Sequence, residues 1–221
     1  MVRSAAAPTR GTPSVPAAPR RLASRSGRTA AGPRVGARAH WNAGDVIVFR
    51  RASAPVAFLW ESAEQPPARW HGAGEGPAHY FADTPDGAWA EFLRHENITD
   101  ARDLDGIRET LWAIELPEEV RLSAPALAPA ALVGGLESYP ACQAEARRLR
   151  ATGAVGLRTR SAALLPTQAR GWRVESGLRP AADRDGSVVV LYGPRPDLAG
   201  WRAGAEARPH AELLAKIRYL P

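Results

Sequence analysis

Five polar residues stand at the ends of apolar segments in this sequence: Arg50, Arg69, Tyr80, Glu91 and Ser161. Guanidinium groups pair bidentately with phosphate or carboxylate and stay charged at any working pH, so the two arginines suit an anionic ligand. Signatures of commoner chemistry are missing. The sequence has no Gly-rich phosphate loop followed by Lys, no GxGxxG after a strand, no HExxH and no paired CxxC. Cys142 is the single cysteine, which excludes an intramolecular disulfide framework, leaves no Cys cluster for a metal, and points to reducing cytoplasm.

The elements that must position these residues alternate in type. Val46-Ile47-Val48-Phe49 is a β-branched apolar run that delivers Arg50 and Arg51 at its exit, as a buried strand would. Ala78–Ala82 reads as a second strand. Thr84 can cap the helix that follows, and Pro85 can take its first position, which predicts a helix over Pro85–His95. Ala88, Trp89, Phe92 and Leu93 form its apolar face; at about 100° per residue Glu91 points about 130° from the centre of that face. Periodicity alone leaves Glu91 in water. Leu111–Leu116 reads as a strand closed by Pro117, and residues 124–136, rich in Ala, Pro and Gly, as a loop of low complexity. A helix over Pro140–Arg150 ends at Thr152-Gly153 and gives way to a strand over Ala154–Leu157, the helix, glycine and strand order of α/β folds. A strand over Ser187–Tyr192 and a helix over Ala211–Arg218 complete the reading.

Length allows one domain of ordinary size. The formal charge of +6 sits at the front: residues 1–40 hold eight arginines and no Lys, Asp or Glu. Removing these eight from the 29 basic residues leaves 21 against 23 acids, so the remainder is formally −2. With few large apolar residues, the stretch 1–43 cannot offset the entropy of ordering and is expected to be a disordered basic tail. Its readings are a solvated extension, a weak phosphate-binding arm or an organellar transit peptide. Of the 29 basic residues, 28 are Arg and only Lys216 is Lys, a bias in keeping with high-GC coding. No window approaches a membrane span and no apolar stretch follows the first arginines as in a secretory signal, so a cytoplasmic protein without a membrane partner is expected.

The run Pro67-Ala68-Arg69-Trp70-His71-Gly72, then His79 to Pro85, then Ala88-Trp89-Ala90-Glu91 resembles the centre of the RES domain, in which an Arg-Trp-Asn segment precedes a strand bearing Tyr and an acidic residue follows on the next helix. Val48-Phe49-Arg50 resembles the family's opening strand. Gln143–Arg150, Gly156-Leu157 and Arg160-Ser161-Ala162 resemble the helix and strand that present its Ser. The resemblance covers most of residues 44–193, and it rests on the ordered set. It departs at His71, where Asn is usual, and at Pro67-Ala68, which replace a more glycine-rich approach.

The resemblance implies a compact α/β (α+β) domain over 44–221, with a mixed, twisted central sheet like that of the mono-ADP-ribosyltransferases. It also implies consumption of nicotinamide adenine dinucleotide (NAD) as substrate, by hydrolysis or by phosphorolysis with inorganic phosphate as co-substrate, with no metal. Many such proteins are toxins. The expected partner is a cognate antitoxin with a helix-turn-helix domain, and a homo-oligomer can form within the complex. Glu91 would then stabilise positive charge building on the ribose as nicotinamide leaves. Arg50 and Arg69 would bind the pyrophosphate or incoming phosphate, Tyr80 would offer its face to the nicotinamide ring, and Ser161 would donate to a phosphate or ribose oxygen as a positioning group, not a nucleophile.

Each residue has a plainer reading. Glu91 can be a solvated charge, Arg69 the surface partner of Glu61 or Glu64, Tyr80 a sheet aromatic, and Ser161 one serine among several. Strand alternation does not choose between Arg50 and Arg51; the site residue is taken as Arg50. His71, His79 and His95 are expected as surface or rim residues. Two further functions compete with NAD degradation: transfer of ADP-ribose to a macromolecule, and a non-catalytic module whose basic tail binds nucleic acid.

Overall fold

The apolar run at Val46 forms β1 (Val46–Ser53), the first of eight strands interspersed with short helices in a computed structural model that describes residues 46–53, 57–62, 64–117, 119–174 and 178–220. The tail expected over 1–43 lies outside the described residues. After β1 come β2 (Ala78–Ala82), α1 (Pro85–His95), β3 (Glu109–Leu116), α2 (Pro129–Val133) and α3 (Tyr139–Ala151). Then follow β4 (Gly156–Arg160), β5 (Ala169–Val174), β6 (Leu178–Arg184), β7 (Ser187–Tyr192) and β8 (Ala199–Ala207). Tight 3-10 segments occupy 101–106, 136–138 and 211–216.

The fold is α/β, as expected. Its six-stranded sheet has the order β4-β7-β2-β1-β3-β8, beside a two-stranded β5-β6 ribbon. All ladders between these strands are antiparallel, and the parallel component is an isolated bridge between Ser123 and Leu157. Both faces of the sheet are covered, so β7 reads as an unbroken apolar run. Val188, Val190 and Tyr192 pack with Cys142, Ala146 and Leu149 of α3. Val189 and Leu191 face the other way, with Val48, Phe81 and Ile114. Alongside α3's cluster, α1 buries Trp89 and Leu93 with Ala82, Leu164 and Leu213. Burying such large apolar side chains stabilises the fold by roughly 1.5–3 kcal/mol each.

The helix α1 begins as its sequence predicts: the Thr84 side chain accepts from Gly87 N–H at 3.0 Å and Pro85 opens the first turn. Gly87 is required by packing, because a Cβ there would lie 2.9 Å from the Ala82 Cβ. Asp83, just before the cap, accepts from Ser187 N–H at 2.9 Å and Ser187 Oγ at 2.7 Å, tying the end of β2 to the start of β7.

The strand expected over Ala154–Leu157 instead runs Gly156–Arg160, which brings Ser161 to its exit. Residues 124–136, expected as a loop, contain α2, with Pro129 in its first turn. The terminal helix expected over Ala211–Arg218 is a 3-10 segment over Ala211–Lys216. Among the described residues no helix is long and apolar enough to cross a membrane.

Candidate functional site

The strands β1 and β2 are paired at Phe49 and Ala82 alone, while β1 and β3 stay in register from Val46 to Ser53. Beyond Phe49 the first pair therefore parts, and a cavity of about 580 Å³ opens beside it, lined by Phe49, Arg50 and Arg51 from β1 and by Tyr80, Phe81 and Ala82 from β2. This size lies within the range of small-molecule sites. Cross-strand partners Phe49, Ala82, Val188 and Thr159 form a row across four strands, and all four line the cavity. One side of the cavity is α1, through Ala88, Glu91 and Phe92; Tyr139, at the start of α3, contributes another.

The cavity brings together Arg50, Arg69, Tyr80 and Glu91. Glu91, expected in water from periodicity, is half-buried in the wall, because α1 rests on the sheet with a face wider than its apolar stripe and even Arg94 is buried. Ser161 stands behind Glu91, outside the lining. Its Oγ accepts from Ala163 N–H and Leu164 N–H, each at 3.1 Å, and donates to Glu91 Oε1 at 3.1 Å. With both lone pairs engaged, the hydroxyl has one proton to give and gives it to the carboxylate. Ser161 thus holds the Glu91 carboxylate through this hydrogen bond.

Arg50 and Arg51 both line the cavity, but they differ in their partners. Arg51 lies 3.5 Å from Glu109 Oε1 and stacks 4.2 Å over the Phe92 ring. The Arg50 Nη1 is out of solvent and has no hydrogen-bond partner among the described residues. Burial, then the nearby Arg51 charge, lowers the Arg50 pKa to about 10, which leaves it a cation at neutral pH.

Arg69 is buried, and among the described residues it forms no salt bridge with a carboxylate. It donates to Ser138 Oγ at 2.8 Å, Gly134 O at 2.6 Å and Ala131 O at 3.3 Å, and it stacks 4.8 Å over Tyr139. Arg94, which the sequence reading passed over, lines the same cavity and donates to the same Gly134 carbonyl at 2.9 Å. Two buried guanidinium groups thereby strap the Ala/Pro-rich segment onto the site. Burial pushes the Arg94 pKa down, opposed by the nearby Glu91 charge.

Tyr80 is fixed by its hydroxyl, which accepts from Trp70 N–H at 2.9 Å and lies 2.9 Å from His71 Nδ1. Burial pushes its phenol pKa up, so it stays neutral. The expectation that His71 and His79 lie at the surface is corrected: they are 2 % and 0 % exposed, and burial lowers both pKa values. His71 takes the Tyr80 hydroxyl as partner and His79 the Gly193 carbonyl at 3.2 Å, which is why both are inside. His95 is exposed at the cavity rim, as expected. Tyr139 and Thr159 were also missed; they lie in an Ala/Pro-rich and a short polar context that carries no signal for a site. Among the described residues no group of three His, Cys, Asp or Glu side chains is placed to hold a metal.

The arrangement is a cation-rich pocket with one oriented carboxylate, which suits an anionic ligand. The sequence matches the RES domain family over residues 33–208, most of the chain, and the protein belongs to that family. The match starts upstream of the boundary expected at residue 44. No curated protein matches the chain. A crystal structure of the M. tuberculosis MbcT-MbcA toxin-antitoxin complex aligns with a TM-score of 0.47 at 19 % identity, covering 80 % of this chain and 90 % of the other.

Proposed function

We propose that the protein binds NAD in the cavity between α1 and the parted strands and breaks its nicotinamide–ribose bond. The observation that carries this reading is Glu91: a carboxylate in the cavity wall, oriented by a hydroxyl whose lone pairs are otherwise engaged, among walls whose other charges include Arg50, Arg51, Arg69 and Arg94. Membership of the RES domain family supports it.

The guanidinium of Arg50, with Nη1 unpartnered, is suited to the pyrophosphate; its burial without a partner is a standing destabilisation that a bound anion relieves. Arg69, already satisfied by backbone and Ser138, shapes the wall and adds positive potential. The flat face of Tyr80 takes the nicotinamide ring. As the bond between ribose C1′ and the ring nitrogen breaks, its electron pair leaves with neutral nicotinamide, and the positive charge passes to the ribose beside Glu91. Water or inorganic phosphate then adds at C1′, water losing a proton, to give ADP-ribose or its phosphorylated form. In a host cell this chemistry depletes NAD, and the protein acts as a toxin held in check by a cognate antitoxin.

The test is incubation of the full chain with NAD, with and without inorganic phosphate, following nicotinamide and the ribose product by chromatography and mass. Release of nicotinamide is expected. Dependence on phosphate would make the acceptor phosphate, and release without it would make the acceptor water; no release in either condition refutes NAD degradation.

A further inference from the structure

Of the Phe, Tyr and Trp rings in the cavity wall, all but one are spoken for. Trp70 and Phe81 are buried in the core. Phe49 packs into the cluster under α1. Phe92 lies under the Arg51 guanidinium at 4.2 Å, and Tyr139 under that of Arg69 at 4.8 Å. Tyr80 is the ring given above to nicotinamide. Trp60 remains. It is 49 % exposed, and of the exposed large apolar side chains among the described residues it alone lines the cavity.

An exposed tryptophan is unremarkable by itself. What distinguishes Trp60 is that the segment carrying it is held at three points, while among the described residues its ring stacks on no other aromatic ring or guanidinium. Two residues earlier, the Phe58 ring packs 5.3 Å from that of Trp112. The Trp60 carbonyl accepts from Gln65 Nε2, and the buried Gln65 Oε1 accepts in turn from Ala78 N–H at 2.9 Å, at the start of the strand that carries Tyr80. One residue later, Glu61 Oε1 accepts from Arg195 N–H at 3.1 Å. The segment is thus fastened to β2, to β3 through Trp112, and to the turn before β8. A large planar side chain, about half exposed, is thereby carried at the cavity wall on a fastened segment.

We infer that Trp60 is a stacking platform for the adenine base of the bound dinucleotide. This rests on the reading of the cavity as an NAD site and adds to it the subsite for the second ring. Stacking suits the ring because it needs only a π-face, and a fastened backbone lowers the ordering cost on binding. The arginines lining the same cavity suit the phosphates that join the two nucleosides.

The experiment is calorimetric titration of the full chain, wild type, Trp60→Ala and Trp60→Phe, with two halves of the dinucleotide: adenosine monophosphate and nicotinamide mononucleotide. Trp60→Ala should weaken adenosine monophosphate about tenfold, the typical effect of one lost base stack, and leave nicotinamide mononucleotide within about twofold. Trp60→Phe, which keeps a ring, should retain most of the affinity. Unchanged adenosine monophosphate affinity in Trp60→Ala, or undetectable binding by wild type, overturns the inference. Equal loss for both halves also overturns it, since Trp60 would then hold the wall rather than a base. Turnover of NAD by the wild type is read separately: its absence refutes the NAD-degrading reading, whereas turnover with base binding indifferent to Trp60 refutes this subsite alone.

Discussion

Replacing Ser161 by Ala separates a positioning hydroxyl from a nucleophile or a ligand contact. The substitution removes the acceptor for two buried donors, Ala163 N–H and Leu164 N–H, and the donor to Glu91 Oε1. Each buried donor left unsatisfied costs about 1 kcal/mol or somewhat more, so a loss of about 2–3 kcal/mol of stability is expected. For a domain of this size that is a fall in Tm of about 4–12 °C, read by calorimetry or circular dichroism. The carboxylate loses one hydrogen bond to a charged acceptor, about 1.5–3 kcal/mol of orientation, so kcat for nicotinamide release should fall about 10–100-fold with KM nearly unchanged. Three results would refute the reasoning. An unchanged Tm would mean the two amides do not depend on Oγ. A raised KM at constant kcat would place Ser161 against the substrate, and complete loss of turnover with an intact Tm would make it a nucleophile.

Other consequences follow from the buried charges. Arg50→Met removes a half-buried cation whose Nη1 is out of solvent without a partner among the described residues, so Tm should rise by a few degrees, about 2–4 °C, while NAD affinity measured by titration falls at least tenfold; a lower Tm with normal affinity would contradict a ligand-binding role. His71 and His79 have pKa values lowered by burial, so between their folded values and about 6.5 the unfolded chain binds more protons than the folded one. Stability should therefore rise with pH up to about 6.5 and fall below it. A Tm that is flat from pH 7.5 to 5, or that rises on acidification, would show that the two rings are not held neutral.

What the sequence made legible depended on local rules. The span of α1 follows from Thr84, Pro85 and a clear apolar stripe, and β7 follows from an uninterrupted Val-Val-Val-Leu run. The strands β5, β6 and β8 were not read, because arginines, Gly171 and Pro180 interrupt any apolar period in the ribbon and β8 is a largely exposed edge of small and charged residues without an apolar period. The candidate residues Arg50, Arg69, Tyr80 and Glu91 were named from an ordered resemblance, and they converge only because β1 and β2 part after one pair, a long-range event that no local pattern encodes. The same limit hid the burial of Arg69 and Arg94. Their partners are backbone carbonyls such as that of Gly134, 65 and 40 residues along the chain, and a carbonyl has no signature in a sequence.

The central claim is that the Glu91 carboxylate, in its cavity, supplies the charge that breaks the nicotinamide–ribose bond. It is tested most directly by comparing wild type with Glu91→Gln, which keeps the shape and removes the charge, in NAD turnover and in NAD binding measured side by side. The expected result is nicotinamide release reduced at least about a hundredfold with affinity changed by less than about threefold. Full turnover by Glu91→Gln would contradict the claim.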